Sequence, residues 1–265
     1  MADKQSNSNE PKTLLAAHKI TKSFGGLQAV KDVDIHVQEG QIAGLIGPNG
    51  AGKTTLFNLL CNFIQPDQGQ VIFNDHRIEQ LPPHKISLQG LVRTFQVARV
   101  LSRLSVLENM MLAVQNQTGE RLRNTWVMSR RPSIVKEEKF HRERALFLLD
   151  QVGLGHMTHA YAGALSGGQR KLLEMARALM ANPKLVLLDE PAAGVNPKLI
   201  DDICGHIVNW NKEGITFLII EHNMDVIMSL CNQIWVLAEG QNLTTGTPEQ
   251  IQSDTKVLEA YLGQT

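Results

Sequence analysis

The sequence predicts an α/β fold built around a phosphate-binding loop, and three stretches carry that expectation. Gly47-Pro48-Asn49-Gly50-Ala51-Gly52-Lys53-Thr54, followed by Thr55, fits G-x-x-x-x-G-K-[ST] in full. It stands between the short apolar run Ile42–Ile46 and the helix-spaced Leu56-Phe57-Asn58-Leu59-Leu60, the strand-loop-helix context that the motif requires. Leu185-Val186-Leu187-Leu188 and Ile215–Ile220 read as two further buried strands, ending in Asp189-Glu190 and Glu221-His222. From average composition the four fixed loop positions match at a given start about 3 times in 100,000, so roughly one chain of this length in a hundred carries them by chance. The flanking strand and helix lower that further.

In chain order, Leu14–Ile20 reads as a first strand and Phe24-Gly25-Gly26-Leu27 as a turn. Phe24 is a candidate platform for an adenine ring; a partly buried phenylalanine covering the turn is the equal alternative. Val33–Val37 alternates apolar and polar, as a half-buried strand does. In the loop, three glycines let backbone N–H groups approach phosphate oxygens, and the helix from Lys53 adds unpaired donors and its positive dipole end. Lys53 supplies a cation for the β/γ-phosphates and Thr54 a hydroxyl for Mg²⁺.

Beyond the loop, Gln70–Phe73 reads as a strand closed by Asn74-Asp75, and Pro82-Pro83 opens a helix to about Leu88. Leu91–Gln96 reads as a strand ending in an amide. Ser105 with Glu108 has capping-box spacing for a helix to Gln115. Residues 117–133 are polar, with Arg121, Arg123, Arg130 and Arg131, and read as a solvated loop; the alternative is a partner- or phospholipid-facing edge anchored by Trp126. Lys136–Val152 reads as an amphipathic helix with Phe140, Ala145, Leu148, Leu149 and Val152 on or near one face. His156 and His159 follow glycines with no third ligand nearby and read as surface or structural residues.

Ser166 and Gln169 again have capping-box spacing, ahead of the apolar stripe Leu172, Leu173, Met175, Ala176, Leu179 and Met180. Gly167 and Gly168 exceed what a cap needs, because glycines weaken a helix, and they leave bare N–H groups suited to an anion. Asp189 suits Mg²⁺ binding and Glu190 a general base; an acidic strand end meeting solvent is the plain alternative. His222 ends a strand on the sheet edge where ligands of open α/β sheets bind. Short strands at Gln233–Leu237 and Asn242–Thr245 and a helix from about Thr255 to Leu262 complete the chain.

The 265 residues carry 26 Lys+Arg and 26 Asp+Glu, so no net field favours a nucleic-acid partner. No apolar run approaches the roughly 18 residues of a membrane span, so in a membrane process another chain must cross. Cys61, Cys204 and Cys231 form no C-x-x-C pair and read as buried thiols of a reducing compartment. Met1–Lys12 is polar, lacks a signal-peptide core and reads as a disordered tail.

Taken together, Gly47–Thr54, Gln96, Leu165-Ser166-Gly167-Gly168-Gln169, Asp189-Glu190 and His222 resemble, in order and spacing, the phosphate loop, Q-loop, signature, Walker B and switch motifs of ATP-binding cassette (ABC) ATPases. That resemblance implies a P-loop NTPase core over 13–262, with an antiparallel β subdomain and an inserted helical subdomain at about 97–180. It implies ATP and Mg²⁺ as ligands, with Phe24 on adenine and Thr54, Gln96 and Asp189 around the metal. Glu190, His222 and Gln96 would be catalytic. Two cassettes, identical or not, would pack head to tail, so that Ser166, Gly167, Gly168 and Gln169 of one close on the phosphates held by Lys53 of the other.

Lys22–Val30, Gln169–Glu174, Glu190–Pro197 and Glu221–Met224 look like the ATPase subunits of branched-chain or neutral amino-acid importers. Partners would then be transmembrane permease subunits and an external solute-binding protein, and the location the cytoplasmic face of the inner membrane. Urea importers and lipopolysaccharide exporters are similar alternatives; a soluble ATPase of DNA repair or translation is a more distant one, since paired cassettes and coiled-coil inserts are missing. Asn196 stands where many cassettes carry an aspartate.

Overall fold

The computed structural model describes residues 12–94, 99–115 and 131–262. The described elements run β1 (Thr13–Phe24), β2 (Leu27–Gln38), β3 (Ile42–Ile46), α1 (Lys53–Leu60), β4 (Gln68–Phe73), β5 (His76–Arg77), α2 (Pro83–Leu88), β6 (Leu91–Arg93) and α3 (Val106–Met111). Then come α4 (Arg131–Gln151), α5 (Gly167–Met180), β7 (Leu185–Asp189), α6 (Pro197–Lys212), β8 (Thr216–Ile220), α7 (Met224–Leu230), β9 (Gln233–Ala238), β10 (Gln241–Gly246), α8 (Pro248–Ser253) and α9 (Thr255–Leu262).

Two sheets organise these elements. A six-stranded sheet has the order β10-β9-β3-β8-β7-β6, parallel except at its β10 edge. Its strands β3, β7 and β8 are buried at every residue, which is why they read as unbroken apolar runs. Their two-residue period separates two cores. Ile42, Ile46, Val186, Leu188, Phe217 and Ile219 face the helices, among them α5 and α6. Ala43, Leu45, Leu185, Leu187, Leu218 and Ile220 face α1 and the antiparallel sheet β2-β1-β4-β5.

In the antiparallel sheet, β2 buries one face: Val33, Ile35 and Val37 point inward while Asp34 and His36 alternate outward. It is fastened to the edge strand of the large sheet by Lys31 N–H on Gly240 O (2.7 Å) and by a reciprocal pair, Asp34 N–H on Asn242 Oδ1 (2.8 Å) and Asn242 Nδ2 on Asp34 O (3.0 Å). Lys12, at the edge of the polar amino-terminal segment, accepts Glu39 N–H at its carbonyl and pairs through its ammonium with Asp75 at 2.8 Å.

Between β6 and β7 the described elements are helical. Both predicted capping boxes form, at Ser105/Glu108 and Ser166/Gln169. Three expectations need correction. The helix at Ser105 ends at Met111, not Gln115. Helix α4 begins at Arg131, inside the stretch read as loop, while residues 116–130 lie outside the described residues. Phe140 is 60% exposed, not part of the buried stripe. That stripe is buried at Ala145, Leu148 and Leu149, where α3 and α5 pack against α4. Helices α6, α7 and α8 were not anticipated.

Candidate active site

Strand β3 delivers the chain to the glycine loop, and the loop's glycines have distinct reasons. At Gly47 φ is +149°, and a Cβ would stand 2.1 Å from Leu237 O. At Gly52, which caps α1 at φ +94°, a Cβ would stand 2.5 Å from Ala29 O. Gly50 has open space but a φ of +78° that favours glycine. No side chain caps α1, so its first-turn amides take no side-chain acceptor. Lys53 is only 6% exposed and folds back, its Nζ donating to Gly47 O at 2.6 Å and Pro48 O at 2.9 Å. Burial pushes the Lys53 pKa down, while Glu190 and Asp189 push it back up.

A cleft of about 690 Å³ lies over the loop. Phe24, Gln28, Lys53, Thr54, Glu190 and His222 are among its lining. Phe24 therefore shares a cleft with the phosphate loop, which the turn-covering alternative does not require. Lys22 Nζ lies 5.7 Å from the Phe24 ring centroid and is held by Asp67 at 2.6 Å. Gln28, Ala29, Glu239 and Gly240 also line the cleft and were not singled out from sequence. Glu239 and Gly240 form the β9–β10 turn, both at positive φ as a type I′ hairpin needs.

Asp189 closes β7 and is buried against Arg93, whose Nη2 lies 2.7 Å from Asp189 Oδ2 with both side chains 5% exposed. Arg93 Nη1 also donates to Asn58 Oδ1 at 2.6 Å, and the guanidinium lies over the Phe57 ring. The next residue, Glu190, takes a φ of +49°, an uncommon conformation for a residue with a side chain. Its N–H bonds Ile220 O at 2.9 Å, and its Oε1 lies 3.0 Å from His222 Nε2.

The loop after Glu190 is gripped from two sides. Lys171 on α5 donates to Glu190 O at 2.6 Å and Ala193 O at 2.8 Å. Glu221 accepts Ala192 N–H at 2.6 Å and also His222 N–H at 3.0 Å. Sequence reasoning missed both residues, and Arg93 with them. The available signals were a lysine among the buried positions of α5 and charged residues at buried strand ends.

Ser166, Gly167, Gly168 and Gln169 do not line this cleft. Ser166 Oγ accepts Gln169 N–H at 3.2 Å, and Gln169 Oε1 accepts Ser166 N–H at 2.9 Å. A Cβ on Gly168 would come within 2.2 Å of Leu199 on α6, whereas one on Gly167 would meet nothing within 4 Å. Asn196 caps α6 through Leu199 N–H at 2.9 Å, a task asparagine and aspartate perform equally. Gln96 lies outside the described residues. No group of three His, Cys, Asp or Glu among the described residues could hold a metal alone.

Comparison with known proteins follows the same lines. The chain matches the family described as ABC transporter over residues 30–193, and the one described as branched-chain amino acid ATP-binding cassette transporter over residues 241–265. It is 42% identical to the probable branched-chain amino acid transport ATP-binding protein LivG of Archaeoglobus fulgidus, covering 94% of this chain and 95% of that one. It is 40% identical to the high-affinity branched-chain amino acid transport ATP-binding protein BraF of Pseudomonas aeruginosa, covering 95% and 98%. A solved nucleotide-free ATP-binding cassette from an ABC transporter superposes with a TM-score of 0.81 at 38% identity, over 95% of this chain and 100% of the other. This chain belongs to the ABC transporter family as one of its ATP-binding cassettes, a nucleotide-binding ATPase coupled to transport.

Proposed function

We propose that this chain hydrolyses ATP to energise a membrane importer of branched-chain or neutral amino acids. The observation that carries hydrolysis is the Glu190–His222 pair, 3.0 Å apart, beside the Lys53 loop in one cleft. Glu190 takes the proton of a water whose oxygen attacks the γ-phosphorus, and the bond to the ADP oxygen breaks. His222 fixes the Glu190 carboxylate and steadies the γ-phosphate. Lys53 exchanges the carbonyls of Gly47 and Pro48 for phosphate oxygens, while Gly47, Pro48, Asn49, Gly50, Ala51, Gly52, Thr54 and Thr55 surround them. Phe24 stacks on the adenine.

Thr54 and Asp189 are hard oxygen donors that fit Mg²⁺, an ion usually held by one or two protein oxygens together with substrate phosphates. By family resemblance Gln96 joins them. Magnesium, when bound there, neutralises charge on the phosphate oxygens.

The amino-acid assignment rests on the relatives' names and on the match at residues 241–265. It brings with it transmembrane permease subunits, a solute-binding protein outside the membrane, and a peripheral position on the cytoplasmic face; no described helix is long and apolar enough to cross. A second cassette completes each site: Ser166, Gly167, Gly168 and Gln169 stand away from their own cleft and serve the partner's. Mixing Lys53→Ala and Ser166→Ala protomers tests this, because one composite site stays whole in each mixed dimer. Recovery of ATPase activity above either mutant alone is expected; its absence means that the head-to-tail site is wrong or that both sites must fire together. Copurification with urea-type or lipopolysaccharide permeases, in place of amino-acid permeases, would overturn the solute assignment.

A further inference from the structure

We propose that Lys171 is a positioning residue through which α5 sets the catalytic geometry of Glu190, linking one ATP site to the other. This rests on the shared-site ATPase described above. The residue is 7% exposed, a placement in which its charge needs compensation. Its two partners are backbone carbonyls, Glu190 O at 2.6 Å and Ala193 O at 2.8 Å. A lysine that merely neutralised the surrounding acids would meet a carboxylate. This one grips the first and fourth residues of the turn that begins with Glu190, whose φ of +49° needs support.

Glu221 holds the same loop from the opposite side. Its Oε1 accepts Ala192 N–H at 2.6 Å, and its Oε2 accepts the N–H groups of His222 (3.0 Å) and Asn223 (3.3 Å). The loop that carries the base and the turn that carries the histidine thus share one buried carboxylate. Lys171 ties that assembly to α5, five residues along the chain from Ser166.

The consequence is directional. Ser166 faces the partner's nucleotide, while Glu190 acts on its own chain's nucleotide. A displacement of the α5 amino terminus on closing over the partner's phosphates reaches Glu190 through the Lys171 ammonium. Occupancy of one site therefore primes hydrolysis at the other.

The test compares Lys171→Met, Lys171→Arg and Glu190→Gln in the full chain. It measures ATPase rate against ATP concentration, binding of a fluorescent ATP analogue, and thermal melting. Lys171→Met is expected to bind nucleotide within about twofold of the parent while its maximal rate falls by tenfold to a hundredfold, as about an ångström of misplacement does. Its rate should also lose any sigmoidal dependence on ATP, and Lys171→Arg should regain much of both. Where Lys171→Met does not fold, Lys171→Gln, which keeps an N–H donor without the charge, takes its place under the same criteria. A full rate in the folded variant, or a loss matched by lost nucleotide binding, overturns the proposal. If Glu190→Gln itself keeps hydrolysing, Glu190 is not the base, and it is the underlying reading of the site that fails instead.

Discussion

His222 Nε2 lies 3.0 Å from Glu190 Oε1, a contact that joins the ends of the neighbouring strands β7 and β8. The parallel register pairs Asp189 with Ile220, so the residues that follow are delivered side by side. Glu190→Gln keeps the shape of that contact and removes the base. Its ATPase rate should fall by about 10²–10⁴-fold, the usual contribution of a general base, while ATP binding stays within about threefold. Stopped hydrolysis and a nucleotide titration check the two halves separately. Undiminished turnover would remove Glu190 from its role.

The two glycines of the signature should separate by stability. A methyl group at Gly168 meets the Cδ2 end of the partly buried Leu199 side chain, which must turn aside, so Gly168→Ala should be less stable than Gly167→Ala by up to about 1 kcal/mol. A methyl group at Gly167 meets nothing, and alanine there should leave stability unchanged or raise it by up to about 1 kcal/mol. Urea unfolding of both variants measures the contrast. Equal losses would contradict it.

Arg93 and Arg77 offer a second contrast. Arg93 pairs with Asp189 out of solvent, so Arg93→Met leaves a buried carboxylate uncompensated and should lose about 3–5 kcal/mol. Arg77 pairs with Glu79 but is largely exposed, so Arg77→Met should lose about 1 kcal/mol or less. Chemical denaturation of the two variants side by side decides the matter.

Burial pushes the thiols of Cys61 and Cys231 up to about 12 and raises that of Cys204. Thiolate is the reactive form, so at pH 8 the folded protein should leave Cys61 and Cys231 unmodified by a thiol reagent. All three cysteines should react once the chain is denatured. Rapid labelling of Cys61 in the native state would show that its strand-facing helix opens readily.

Local features were legible in the sequence because local physics produces them. The capping boxes at Ser105 and Ser166, the Asn74-Asp75 turn and the strand-loop-helix around Lys53 each follow from a few adjacent residues. Pairings between distant residues were not. Nothing near Arg93 announces Asp189, 96 residues on, and nothing near Lys171 announces the carbonyls of Glu190 and Ala193. Phe140 shows the converse error. Helical spacing puts Phe140 on the same side as Phe147, seven residues on, and both are exposed, whereas the side that α3 and α5 cover carries Ala145, Leu148 and Leu149. The close approach of Gly168 to Leu199 was also hidden, since α5 and α6 are joined through a strand and a loop.

The fastening of the antiparallel sheet to β10 has one more consequence. Lys31 N–H on Gly240 O, with the Asp34–Asn242 pair beside it, sets where the Phe24 hairpin stands relative to the phosphate loop before any ligand arrives. The cleft is thus a ruler of fixed length, with an aromatic face at one mark and a lysine at the other. With Phe24 on the base and Lys53 on the phosphates, as proposed, it would gauge the span from base to terminal phosphate more than the identity of the base. GTP should therefore compete with ATP, whereas tripolyphosphate, which reaches only one mark, should compete poorly.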